Sequence, residues 1–195
     1  MKRRDQSAHS RIYVIAEDKT GYFVLDEIVR KKEIAVKVIL RGEPKGVSSL
    51  AKDLKGIIDT LLRTITDQDC IIVLHDTDTL VETYRDHYQK IERICNSYHG
   101  RVTRLEAIQE IEAWLLADEG FCRWIGQSPT ASDHISQPSK KLEKMIKDKF
   151  GRNKWTNLEK PKILRDHMDV SGENLSESMR NAMKTFQQLP CAKQP

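Results

Sequence analysis

The 195-residue chain has no apolar stretch near the roughly 20 residues a membrane helix needs, so no membrane span is expected. It has no Cys-x-x-Cys pair either. Cys70, Cys95, Cys122 and Cys191 are scattered, which argues against a zinc site and reads as four reduced thiols. The basic start, Met1 to Ser10, has no apolar run behind it, so a secretory signal is not expected and the cytoplasm is the expected compartment. There is no internal repeat and no low-complexity tract. Charge of one sign barely prevails: 33 Lys and Arg face 29 Asp and Glu, and the net +4 is compatible with a phosphate-bearing partner without demanding one.

What the chain does have is an alternation of strand and helix signals. Arg11–Ala16 is β-branched and aromatic and stops at Glu17. Tyr22, Phe23, Leu25, Ile28 and Val29 recur at helical spacing, ahead of Arg30-Lys31-Lys32, where cations suit a helix C-terminus. Glu33–Leu40 reads as a second strand, and the next helix carries Leu50, Leu54, Ile57, Ile58, Leu61 and Leu62, with Ser48 or Ser49 as its cap. Ile71–Leu74 is a continuous apolar run, suited to a strand buried on both faces. A third helix then keeps its period through Tyr84, Tyr88, Ile91 and Tyr98 and ends at Gly100. Arg101–Ile108 is a fourth strand, and Gln109–Asp118 a fourth helix.

This β-α repeat predicts an α/β domain over residues 1–125, with a mainly parallel sheet of about four strands and helices on both faces. From Gly126 the composition shifts to loop and basic helix. Residues 126–195 are expected as a helical extension packed on the domain, with helices near Lys140–Phe150, from Pro161, and near Asn174–Gln188.

Acids gather at the strand ends. Glu17 follows the first strand, Asp76 and Asp78 the third, Glu110 and Glu112 the fourth. In a parallel sheet these ends lie on one edge, where α/β folds place their chemistry. Alternate residues of an extended chain point the same way, so Asp76 and Asp78 either face one cation together or Asp78 caps the next helix. Carboxylates converging there repel one another unless a divalent cation neutralises them, and an oxygen-only donor set favours Mg²⁺ or Mn²⁺ over Zn²⁺. Glu110 and Glu112 are two apart and do not share a helix face, so one of them is expected at the site, Glu112 before Glu110. No Asp-x-Asp follows the first strand, which disfavours a receiver- or phosphatase-type phosphoryl transfer.

Other residues carry two readings each. Lys19 contacts phosphate or is a solvated loop lysine. Lys140, Lys141 and Lys144 open a basic run that tracks a nucleic-acid backbone or is a solvated helix face. His75 points away from Asp76 by strand alternation. Asp118 is expected to bond a neighbouring loop rather than a metal, Trp114 to be core, and Trp155 to plug the extension onto the domain or to stack on a base.

Three segments together resemble the Toprim domain of topoisomerases, bacterial primases and overcoming-lysogeny-defect nucleases: Ile15-Ala-Glu17-Asp, Leu74-His-Asp76-Thr-Asp78, and Glu110-Ile-Glu-Ala-Trp-Leu-Leu-Ala-Asp118. With Glu159-Lys-Pro-Lys-Ile-Leu164 they are most similar to small Toprim-like bacterial proteins paired with an ABC-type ATPase in phage defence. The resemblance covers about Arg11 to Leu164. It implies a metal-dependent nuclease, with Glu17 as general acid/base or metal ligand and Asp76 and Asp78 as the metal pair. It also implies nucleic acid and an ATPase as partners, and leaves self-association open. Toprim domains have Gly after the first Glu, whereas this chain has Asp18. That departure favours a second reading, a Toprim-shaped binding module whose acids are structural.

Overall fold

The computed structural model describes residues 10–77, 82–130, 133–152, 154–172 and 175–192. Four strands, β1 (Arg11–Ala16), β2 (Lys37–Gly42), β3 (Cys70–Thr77) and β4 (Val102–Ile108), form one sheet in the order β2-β1-β3-β4. Every pairing is parallel. The described helices are α1 (Lys19–Lys31), α2 (Val47–Leu62), α3 (Arg85–Asn96), α4 (Glu112–Ala117), α5 (Glu119–Ile125), α6 (Pro138–Phe150), α7 (Lys160–His167) and α8 (Glu177–Gln188). None is long and apolar enough to cross a membrane.

The two central strands are the most apolar because both of their faces are covered. Side-chain alternation sorts them into two cores. Tyr13, Ile15, Ile71 and Val73 pack against Leu50, Leu54 and Ile58 of α2 and Ile91 and Cys95 of α3. Ile12, Val14, Ile72 and Leu74 pack with α1, and the same cluster takes in Trp114, Phe121, Leu142, Ile146, Leu164, Met179 and Phe186. The C-terminal helices thus share a core with the sheet.

Local chemistry explains where element boundaries differ from the expected ones. β2 begins at Lys37 rather than Glu33, because Glu33 takes a positive φ of 52° and Ile34 N–H bonds back to Val29 O to close α1. Gly46, not a serine, is the N-cap of α2; its φ of 85° is natural only to glycine. The helix expected after Asp78 starts at Arg85, behind a 3₁₀ turn over Glu82–Tyr84. The expected fourth helix, Gln109–Asp118, is α4, which begins later, at Glu112, and a further short helix, α5, follows it. Asp118 leaves helical geometry (ψ 122°) and accepts from Phe121 N–H at 2.8 Å, so it ends α4 and caps α5.

One expectation is overturned. Cys70 and Cys191 are joined as a disulfide, with Cα atoms 5.9 Å apart, while Cys95 and Cys122 are free and buried. The partners are 121 residues apart. They meet because α8 carries the chain end back to the start of β3, a return that cysteine spacing does not encode.

Two glycines give opposite tests of this packing. A Cβ on Gly120 would sit 2.3 Å from His167 O and 2.9 Å from Asp169 Cβ, where α5 crosses the end of α7. Gly120→Ala is expected to destabilise by about 1–3 kcal/mol in chemical denaturation, since backbone must move. Gly56, on the exposed side of α2, meets nothing within 4 Å. Gly56→Ala is expected to stabilise by about 0.5–1 kcal/mol.

Candidate active site

Strand order turns around between β1 and β3, the point where an α/β sheet opens a crevice at its carboxyl edge. Ala16 pairs in register with Leu74, so the residues that follow each strand emerge side by side. Glu17 N–H extends the ladder to Leu74 O at 3.2 Å. The Glu17 carboxylate accepts from Asp76 N–H at 3.3 Å and from Val47 N–H at the start of α2. Asp76 Oδ1 accepts from Ile111 N–H at 3.0 Å. Two acids 59 residues apart are thus fixed against each other by main-chain donors. Together with Lys45, Ser48, Tyr84, Tyr88 and Glu110 they line a cleft of about 360 Å³. A larger, more open groove of about 780 Å³ runs along α2 from Arg41 to Thr64, but Asp53 is its one carboxylate among the described residues.

The acids in and behind the cleft are hard to ionise together. Burial raises the Glu17 pKa, helped by the charges of Asp18 and Glu110 and opposed by the Asp76 amide. Asp76 is pushed well above the usual carboxylate range, by burial first and then by Glu112, Glu17 and Asp18. Glu112, 7% exposed, is pushed up to about 7 by burial and by Asp18, with Lys160 pulling the other way. Such a group of raised carboxyls stores protons that a cation could replace.

The expected residues divide. Glu17 and Asp76 come together; Asp78 lies outside the described residues. Among the described residues no three His, Cys, Asp or Glu side chains converge closely enough to hold a metal, so Glu17 and Asp76 stand as a pair with Glu112 behind them. Glu110 and Glu112 separate as their spacing requires. Glu110 Oε2 accepts from Ser139 N–H at 2.7 Å in the first turn of α6, at the cleft wall, while Glu112 is buried in α4. Lys19 is paired with Glu43 at 3.5 Å. Lys140, Lys141 and Lys144 follow directly on Ser139 in α6.

His75 turns away from the cleft. It is 1% exposed and stacks on Tyr88, with Nδ1 2.9 Å from Asp76 O. Burial lowers its pKa. Asp118 bonds a loop, accepting from Asp169 N–H at 3.0 Å and Val170 N–H at 2.8 Å. Trp114 is core, its indole donating to Ser178 Oγ at 2.7 Å. Trp155 is buried edge-on against Phe121, tying the extension down.

Sequence reasoning missed Lys160. From α7 its ammonium donates to Thr20 Oγ1 at 2.7 Å, sits 5.1 Å from the Trp155 ring and acts on Glu112. A lone lysine more than 140 positions after Glu17 offers no pattern to find. Asp18 is also engaged. Its Oδ1 accepts from Gly21 N–H at 2.9 Å, capping α1.

No family model matches the chain, and no curated protein or solved structure is found to be similar to it.

The Glu112 shift has a stability consequence. Its folded pKa lies above the ordinary value of 4.5, so the folded state binds the extra proton. Metal-free stability should fall as pH rises from about 4.5 to about 7, by up to about 3 kcal/mol from this group. Glu112→Gln, followed by thermal melts across that window, should flatten the fall.

Proposed function

We propose that this chain is a divalent-metal-dependent nuclease of Toprim type, hydrolysing phosphodiester bonds in nucleic acid. The observation that carries the reading is the Glu17–Asp76 pair at the β1/β3 switch point, where main-chain N–H groups hold two acids of raised pKa in contact. The donor set fits Mg²⁺ or Mn²⁺: it is all oxygen, it faces a cleft, and its charges oppose one another. Glu17 and Asp76 would hold the ion, with Glu112 assisting from α4; Asp78, expected as their partner, lies outside the described residues. A divalent ion supplies Lewis-acid stabilisation of charge on a phosphate.

The chain's own groups have distinct roles. Asp76 is oriented by the Ile111 amide, which bonds its Oδ1. Glu17, its pKa raised above the usual carboxylate range by burial, is placed to take and return a proton. Lys160 offsets the charge of Glu112. Lys45 in the cleft is a cation for a phosphate oxygen. The resemblance to Toprim proteins adds the setting: a cytoplasmic, toxic effector of an anti-phage system, paired with an ABC-type ATPase.

The second reading, an inactive Toprim-like module that docks on an ATPase, draws on Asp18 standing where Toprim domains have Gly; in this chain Asp18 caps α1. The two separate cleanly. Purified protein incubated with Mg²⁺ or Mn²⁺ and plasmid, linear DNA or tRNA, with and without an ATPase partner, is expected to cleave. Glu17→Ala and Asp76→Ala are each expected to lower the rate at least about a hundredfold. Cleavage untouched by either change, or no cleavage under any condition together with no Mn²⁺ affinity dependent on Asp76, would leave the binding module.

A further inference from the structure

We infer that the polymer this site takes is a single strand, its backbone laid along one side of α6 and a base seated on Tyr84. The inference rests on the nucleic-acid reading above and narrows its substrate class. Lys140, Lys144 and Lys147 recur at i, i+4 and i+7, so they share one side of α6. None of the three is buried, and no ion pair engages them among the described residues. Glu143 and Asp148 border the stripe without closing on it.

The stripe has a direction. Ser139, just before Lys140, donates its N–H to Glu110, which lines the acid cleft. At 1.5 Å per residue, Lys140 to Lys147 spans about 10 Å, leading away from the cleft wall. A polyanion following these cations is delivered to Glu17 and Asp76.

The cleft itself selects against a duplex. Its volume of about 360 Å³ takes a group of roughly nucleotide size. At its wall stands Tyr84, 37% exposed, one of two large exposed apolar side chains among the described residues. Tyr88 holds it edge-on, with ring centroids 6.4 Å apart. An exposed ring in a cleft whose wall, at Glu110, meets the start of a cationic track is an arrangement that binds unpaired bases, because a duplex keeps its bases stacked on one another.

The test is fluorescence anisotropy with a labelled oligonucleotide, as single strand and as duplex of the same sequence, using the full chain with EDTA and no metal. The single strand should bind at least tenfold more tightly. The triple change Lys140→Gln, Lys144→Gln and Lys147→Gln should lower the slope of log Kd against log salt by about 2, at about 0.7 for each phosphate no longer neutralised. Tyr84→Ala should weaken the single strand roughly tenfold and the duplex little. Equal or tighter duplex binding overturns the inference, as does an unchanged salt slope in the triple variant with an unaltered thermal melt. So does displacement by polyglutamate as effective as by polynucleotide, which would mark an acidic protein partner. Because binding is read without metal, strand binding in EDTA together with no cleavage in the Mg²⁺ or Mn²⁺ incubation above supports the track while removing the nuclease. Cleavage with duplex preference does the reverse.

Discussion

The arrangement depends on the register of β1 against β3. With Ala16 opposite Leu74, the chain delivers Glu17 and Asp76 to one place and cannot avoid doing so, because a one-residue slip would turn every buried side chain of either strand to the opposite face. Two hydrophobic cores hold that register from opposite faces. The acids are therefore held against their own repulsion by apolar packing that has nothing to do with charge. Three main-chain N–H groups, from Asp76, Val47 and Ile111, offset part of the repulsion. Each comes from a different segment.

The C-terminal region completes this frame. Asp118 has no hydrogen-bond freedom left: it caps α5 and takes the amides of Asp169 and Val170, binding α7's exit to α4's end. Trp114 reaches Ser178, which is itself fixed by Asp133 at 2.6 Å. α4 is thereby gripped from both sides, and α4 is the helix that carries Glu112. Glu110 caps α6, and Lys160 of α7 reaches Thr20 near Glu17. These links from the extension to the site run through buried or half-buried polar groups, and such groups are costly to leave unpaired. The extension and the sheet edge therefore form one mechanical unit.

This division also explains what can be read in the sequence. The strands, their order of appearance and the strand-end acids are legible, because burial on both faces leaves an unbroken apolar run and the run's end marks the sheet's edge. So are the roles of Asp118 and Trp114. What is not legible depends on long-range closure. α5 is short and follows α4 without a turn signal, so nothing in the pattern after Asp118 marks it as a helix of its own. Gly46 caps α2 through backbone freedom, where side-chain chemistry points to a serine. The Cys70–Cys191 bond and Lys160 both join segments over more than 100 residues, and neither leaves a local trace.

Asp18 is where sequence logic and structure pull apart. Its carboxylate caps α1, a structural role that serine or asparagine fills without adding a charge. Yet its charge raises the pKa of Glu17, Asp76 and Glu112 alike. A module needing only a helix cap would gain nothing from placing a further negative charge among three acids already strained by burial. The cost disappears if a cation sits among them, since each added carboxylate then strengthens its binding. The residue that departs from the Toprim pattern thus increases the site's demand for positive charge, a demand that protons meet at low pH and that a divalent ion would meet at neutral pH if the proposed metal chemistry holds.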